Sequence, residues 1–560
     1  MGEIKRHWYK EMSVYHIWTR SFCDSNGDGI GDLPGVYSKL DYIKSLGVDG
    51  IWFSPIYPTP NADYGYDISD YKNINPEFGT LDDFKMILDG AHERGMRVFM
   101  DLVVNHTSTE HYWFKEACKG VDNPYHDYYI FRKGKGKNGK KPPNNWLSVF
   151  EGNAWEYVDS CDEYYLHVFA KGQPDLNMDN PKVREEVKSI IRFWLDMGVD
   201  GFREDVITFI SKAEGLPNGF PLPIATGVEH YKHGPHLEEY LDEFKAVFNE
   251  YDCFNIGEGP MTSLKDAIDL CTEGPNQKLD MLISFDHMNA DCFMADWIKL
   301  PFSLRRLKNT YDKWQHGMYG RGWNSLYIEN HDHARVIPRY GNLKYRVESG
   351  KMLATMYMLM CGTPFIYQGQ EIGMTNIDID NINDYKDVMT FNNYRLFHNI
   401  LHLNEKQFCA LSGKVNRENA RTPVQWNNTK NAGFTTADEP WFKVNPNYTS
   451  INVEAAEKDE NSLLNYYRKL VNYRKGNDLA IYGDFKQHYK ASGDLFVYER
   501  NYEGRRLLVI CSFSDKEVKF KAPDGFDLAK GKLVIGNYNL NSSEFNEFYL
   551  KPYEARVYEF

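Results

Sequence analysis

The run Gly201-Phe202-Arg203-Glu204-Asp205-Val206-Ile207 places an arginine and a carboxylate two residues apart at the end of an expected strand. Side chains at i and i+2 of a strand project to one face, so Arg203 and Asp205 should point together into whatever lies above the strand end. A cation there favours the ionised, nucleophilic carboxylate. Taken alone, the pair also reads as a structural ion pair, because ion-pair networks shift pKa values too.

Working outward, the segment Pro181–Met197 has helical periodicity, with Pro181 suited to a first turn and Gly198 to the exit, and 81–96 reads as a second amphipathic helix. Short apolar runs alternate with such segments at 14–18, 50–55, 97–104, 201–205, 253–258, 279–285, 325–330 and 364–370. Eight alternating units predict an α/β fold, a (β/α)8 barrel, in which reactive side chains gather at the C-terminal strand ends. The alternation breaks between 106 and 173, far longer than an ordinary connection, which predicts a loop-rich functional insert after the third strand. From about Tyr482 short alternating runs predict a small antiparallel β domain. The expected division is therefore a barrel over 1–105 and 174–481, an insert over 106–173, and a C-terminal β-sandwich over 482–560.

Composition narrows the class. The 560 residues are 42% hydrophobic and 26% charged, as in a globular protein, and the formal charge of -14 argues against nucleic-acid or anionic-membrane surfaces. Aromatic residues make up 15% and suit flat apolar ligands such as sugar rings, although cores use them as well. The basic run at 132–141 is interleaved with glycine and reads as a solvated loop. Nine cysteines without CxxC spacing, and no apolar leader or run of eighteen apolar residues, predict free thiols, a cytoplasmic location and no membrane span.

Four motifs stand in order at expected strand ends: Asp101-Leu102-Val103-Val104-Asn105-His106, 201–206, Ile256-Gly257-Glu258, and Glu329-Asn330-His331-Asp332. Together they resemble the α-amylase superfamily, glycoside hydrolase family thirteen, and within it the oligo-1,6-glucosidase group. Retaining glycoside hydrolysis needs a nucleophilic carboxylate and a protonated carboxylic acid at one anomeric carbon. The resemblance implies Asp205 as nucleophile, Glu258 as acid/base and Asp332 as the third carboxylate. The expected environments fit, with Arg203 beside Asp205 to lower its pKa and no adjacent cation at Glu258. His106 and His331 resemble the family's hydroxyl-binding histidines.

Further segments carry the resemblance into the pocket. Asp63-Tyr64-Gly65-Tyr66-Asp67 resembles the segment whose Asp63 and Tyr66 counterparts clasp and stack the terminal glucose. In 420–426, Arg421 resembles the arginine that pairs with that aspartate, closing the site and implying release of one glucose at a time. Val206, after the nucleophile, resembles the valine of enzymes acting on α-1,6 bonds. Its physical effect is to narrow one approach to the second subsite, although a β-branched residue also suits strand packing.

The run Asp24-Ser25-Asn26-Gly27-Asp28-Gly29-Ile30-Gly31-Asp32 alternates oxygen ligands with small residues, as a hard cation requires, but Gly35 stands where an EF-hand would need glutamate. It resembles the group's calcium site, implying Asp24, Asn26, Asp28, the carbonyl of Ile30, and Asp32 as ligands. Magnesium or a bare Asp-Gly turn remains open, and no ion is expected in catalysis. Three positions depart from the pattern or invite separate comment: Glu204, expected to face the barrel packing or a charge partner; His333, a candidate second-subsite residue; and Glu371, another possible contact there.

The expected function is exo-type hydrolysis of isomaltose, panose and isomalto-oligosaccharides by a monomer or weak oligomer. Sucrose isomerase or transglucosidase, α-1,4-glucosidase and trehalose-6-phosphate hydrolase are the alternatives on this scaffold. The isomerases' Arg-Leu-Asp-Arg segment is absent from 285–304, and no phosphate-binding cation can be assigned from sequence. A non-catalytic relative would have lost a carboxylate, and all three are present.

Overall fold

The computed structural model describes residues 4–150, 152–222, 225–293, 298–539 and 545–560. Positions 294–297 of the compared 285–304 stretch, and 540–544 of the expected C-terminal domain, lie outside them. Eight parallel strands form in chain order: β1 (Val14–Ile17), β2 (Gly50–Phe53), β3 (Arg97–Val103), β4 (Gly201–Asp205), β5 (Phe254–Gly259), β6 (Met281–Ser284), β7 (Ser325–Leu326) and β8 (Thr363–Tyr367). Their order is β7-β8-β1-β2-β3-β4-β5-β6. A parallel bridge between Leu282 and Asn324 joins the two ends and closes the ring.

Strand β4 is fully buried, as expected of a parallel strand covered on both faces. It begins at Gly201 for a local reason. Its φ is +157°, and a β-carbon there would stand 2.3 Å from the Phe254 carbonyl oxygen of β5, so glycine allows β4 and β5 to approach. The helix Pro181–Met197 precedes it. Asn180 caps its start by accepting from the Lys182 N–H, and Gly198 ends it at φ +109°. Val183, Val187, Ile190, Ile191 and Trp194 form its buried stripe.

Between β3 and β4 the chain builds a three-stranded antiparallel sheet in the order Phe131–Arg132, Glu163–Leu166, Trp155–Val158. Ile130, Trp146, Phe150 and Phe169 of this excursion share an apolar cluster with Val206 and Phe209, so it packs over the end of β4. The C-terminal region holds a five-stranded antiparallel sheet and a two-stranded partner, Val518–Lys521 with Glu547–Leu550. Leu508, Ile510, Phe520, Leu550 and Tyr558 share the core between them. No two of the nine cysteines are joined in a disulfide. Among the described residues no helix is long and apolar enough to cross a membrane.

Candidate active site

Strand register explains how the charged groups meet. Arg203 lies opposite Asp101 in the β3–β4 pairing and opposite Ile256 in the β4–β5 pairing. Its guanidinium therefore reaches both neighbours. Nη1 donates to Asp205 Oδ1 at 2.6 Å and to Asp101 Oδ2 at 2.9 Å, and Nη2 donates to Glu258 Oε1. One arginine, 2% exposed, thus holds the carboxylates of three adjacent strands. The expected Arg203–Asp205 pair is present, but the expectation that Glu258 lacks a cation is corrected. Alternation within one strand could not reveal a contact made across two.

The charge balance at Asp205 also differs from expectation. Burial pushes its carboxyl well above the usual carboxylate range, opposed by Arg203 and reinforced by Glu258, Asp101 and Asp332. Arg203 pulls it down as anticipated, but one guanidinium divided among three carboxylates does not prevail. Burial likewise raises Asp101 to about 6 against Arg203. Asp101 also accepts from Trp52 Nε1 at 2.6 Å and from the Tyr66 hydroxyl at 2.8 Å.

Beyond β4 the backbone turns sharply. Val206 adopts φ +36°, ψ +38°, a left-handed conformation that is strained for a β-branched residue. The turn aims its N–H at Glu258 Oε2, 3.0 Å away, so Glu258 is gripped at both oxygens.

Asp332 stands near enough for its charge to act on Asp205. Its Oδ1 accepts from Arg417 Nη1 at 3.1 Å and Arg421 Nη2 at 3.2 Å, and Oδ2 is 3.0 Å from His331 Nε2. Burial pushes Asp332 up, yet His331 and the two arginines overcome it and hold the carboxyl well below its usual range. The His331 ring stacks on Tyr66 with centroids 5.3 Å apart, and its Nε2 lies 2.6 Å from the Tyr66 hydroxyl oxygen. Burial lowers His331 to about 4 and His106 to about 4, so both rings are neutral at pH 7. His106 Nε2 lies 3.0 Å from the Tyr66 carbonyl oxygen.

Asp63 takes its ion pair from Arg417, whose Nη2 donates to Oδ1 at 2.9 Å. This corrects the assignment of that partner to Arg421. Arg421 Nη1 instead donates to Asp387 Oδ2 at 2.8 Å, and Arg417 also holds Asp387, through Nε at 2.5 Å and Nη2 at 3.0 Å. Sequence reasoning left Asp101, Asp387 and Arg417 without roles. A signal for Arg417 existed, because it stands four residues before Arg421 in the short helix Arg417–Arg421. His333 is buried with its ring 5.5 Å from that of Phe285. Glu371, expected as a possible second-subsite contact, is fully buried and accepts from the Tyr15 and Tyr42 hydroxyls instead.

The acidic loop after β1 closes on its own amides. Asp24 accepts from the N–H groups of Asn26, Gly27 and Gly29, Asn26 from that of Asp28, and Asp28 from that of Ile30. Asp32 accepts from the Ser25 and Gly35 N–H groups. Among the described residues no three His, Cys, Asp or Glu side chains converge as a metal cluster. The donors are all oxygens, the chemistry a hard cation requires.

Residues 16–483 match the α-amylase catalytic-domain family. Over 563 residues the chain is 49% identical to the oligo-1,6-glucosidase of Parageobacillus thermoglucosidasius, with 99% of each covered. It is 43% identical to the trehalose-6-phosphate hydrolase of Bacillus subtilis, with 98% of each covered. The crystal structure of Bacillus licheniformis trehalose-6-phosphate hydrolase is similar at a TM-score of 0.93 and 43% identity, over 99% of this chain and 100% of that one. A carboxylate cluster at the C-terminal mouth of a closed barrel and full-length identity to such enzymes lead to one classification: the chain belongs to the α-amylase family of glycoside hydrolases, family thirteen.

Proposed function

We propose that the chain is a retaining α-glucosidase that releases glucose from the non-reducing end of α-1,6-linked oligosaccharides such as isomaltose and panose. The observation that carries this is the Arg203 clamp on Asp101, Asp205 and Glu258, with Arg417 joining Asp63 to the third carboxylate, Asp332, nearby. Similarity to several oligo-1,6-glucosidases supports the linkage.

Asp205 is the proposed nucleophile. Its carboxylate attacks the anomeric carbon as the glycosidic C–O bond breaks, and Glu258 gives its proton to the departing oxygen. Water then attacks the same carbon, Glu258 takes a proton from it, and the ester bond to Asp205 breaks. With any two of the three clamped carboxylates ionised against the single charge of Arg203, one net negative charge remains beside a centre that turns cationic in the transition state. Asp332, kept ionised by two arginines, adds a second negative charge nearby. Asp63, Tyr66, His106 and His331 are proposed to hold the terminal glucose, Val206 to shape the second subsite, and Arg421 to hold Asp332 in place.

The test is the anomer of the first glucose released, followed by NMR on isomaltose, panose, maltose, sucrose and trehalose-6-phosphate. α-Glucose from isomaltose is expected. β-Glucose would overturn retention, and faster turnover of trehalose-6-phosphate would favour the activity of the Bacillus subtilis relative. A structural calcium or magnesium ion at Asp24, Asn26, Asp28, Ile30 and Asp32 is proposed on the oxygen-only donor chemistry. It predicts a Tm that falls with chelator and recovers with calcium, because a ligand of the folded state alone stabilises it. Residence in a reducing cytoplasm is proposed on nine cysteines that form no disulfide with one another. A monomeric or weakly associated state is proposed as well, and size-exclusion chromatography with light scattering tests it.

A further inference from the structure

Glu204 stands between the clamp arginine and the proposed nucleophile, yet the mechanism above does not use it. Alternation sends it outward with Phe202, which packs against Phe248 of the helix Leu237–Phe248. The side chain is fully buried. Oε1 accepts from Asn255 Nδ2 on β5 at 2.7 Å, while Oε2 is buried with no hydrogen-bond partner among the described residues. The charged groups facing it are Lys245 from that helix and Asp280 from the segment before β6. Lys245 is already committed: its Nζ donates to Asp280 Oδ1 at 2.7 Å and to Asn255 Oδ1 at 2.8 Å. On the adjoining strands its register partners are Leu102 and Gly257, neither charged. A buried carboxylate with one donor, one bare oxygen and no cation of its own is costly, whereas a neutral acid in the same place is not.

We propose that Glu204 is a pH-dependent positioning residue, holding β4 against β5 as a neutral carboxylic acid and disturbing the Arg203–Asp205 pair when it ionises. Burial, working against Asn255 and Lys245, places its titration at about 7. Ionisation puts an uncompensated negative charge on the outer face of β4, which loosens the Asn255 contact holding β4 to β5 and so displaces Arg203 and Asp205 on the inner face. That displacement lowers turnover on the alkaline side.

The kinetic arm rests on the α-glucosidase reading, and a Tm arm does not. E204Q and E204M are compared with the wild type from pH 5 to pH 9, by kcat on isomaltose and by Tm. The amide of E204Q reproduces the neutral acid, so at pH 5.5 its kcat should be within about twofold of the wild type. By pH 8.5 the E204Q to wild-type ratio should have risen about threefold or more. Because the native state binds the extra proton between the unfolded and folded titrations, Glu204's own contribution to wild-type stability should fall as pH rises from about 4.5 to about 7, against the opposite contribution of the buried histidines. E204Q should lack that fall. If E204M is poorly folded, the infrared band of a protonated buried carboxyl, present in the wild type at pH 5.5 and missing in E204Q, carries the decision. Parallel pH profiles of kcat and Tm in the wild type and E204Q, or absence of that band, overturn the proposal. Failure to hydrolyse isomaltose at any pH, with the Tm difference intact, would instead overturn the substrate reading.

Discussion

Arg417 joins Asp63 to the third carboxylate: Nη2 donates to Asp63 Oδ1 at 2.9 Å and Nη1 to Asp332 Oδ1 at 3.1 Å. Removing one partner of a buried charge pair leaves the other uncompensated and costs about 3–5 kcal/mol. R417A should therefore destabilise the fold by that order, read as a fall in Tm, and should lower kcat/KM on isomaltose because Asp63 and Asp332 lose the cation that aims them. Because no bond joins Asp63 to Arg421, a double-mutant cycle separates the two arginines. D63A with R417A should couple strongly, and D63A with R421A only weakly. Equal coupling would restore Arg421 as the partner of Asp63.

The proposed roles of Asp205 and Glu258 can be told apart by a small external nucleophile. E258A should lose turnover of unactivated glucosides by about 10²–10⁴, the usual share of general acid–base catalysis. With an activated aryl α-glucoside, azide should restore its turnover and yield α-glucosyl azide, since the covalent intermediate still forms. D205G with azide should give the β-azide by one direct displacement. Product stereochemistry read by NMR decides, and the opposite pairing of variant and anomer would exchange the roles.

The sequence carried the barrel because each strand is local: glycine, apolar alternation and a polar end fit within a few residues, as at Gly201–Asp205. It carried less of the site, and the reasons are geometric. The cation at Glu258 comes from the neighbouring strand, where Arg203 stands level with Ile256 and its long side chain spans the two residues to Glu258. The Arg417–Asp63 pair spans 354 residues, beyond any local pattern. Strand β7 ends at Leu326 although the apolar run continues to Asn330. The residues after it leave the ladder and carry His331 and Asp332 into the pocket. Apolarity marks burial, and here burial outlasts the strand.

Acid should destabilise the fold through its buried histidines. His106 and His331 titrate at about 4, against about 6.5 in the unfolded chain. Between those values the unfolded chain binds more protons, so stability falls as pH falls, and the loss is complete below about 4. A 2.5-unit difference at 1.36 kcal/mol per unit is on the order of 3 kcal/mol for each ring. Asp332 has the same sign, its stabilising charge being lost once pH drops through its low titration. The urea midpoint should therefore decline from pH 6.5 to pH 4. The H331N variant should decline less steeply, and an unchanged slope would show that His331 is not buried neutral.

Val206 combines a strained turn with a position beside the acid. Its N–H donates to Glu258 Oε2 at 3.0 Å, a bond that any residue but proline can make, whereas its side chain sits with Phe150 and Phe169 in the wall where the insert meets β4. V206A keeps the bond and removes two methyl groups from that wall. Turnover of an activated aryl glucoside, which lacks a second sugar, should change little. The ratio of kcat/KM for isomaltose over maltose should fall about tenfold, the low end of what a methyl group discriminates in an apolar pocket. A β-branched residue at positive φ also carries strain of about 1–3 kcal/mol, which V206G relieves, so V206G should show the same loss of preference with a Tm no lower than that of V206A. If the isomaltose-to-maltose ratio stays constant through V206A and V206G, linkage preference resides elsewhere in the second subsite, with Phe285 and His333 the next side chains to exchange.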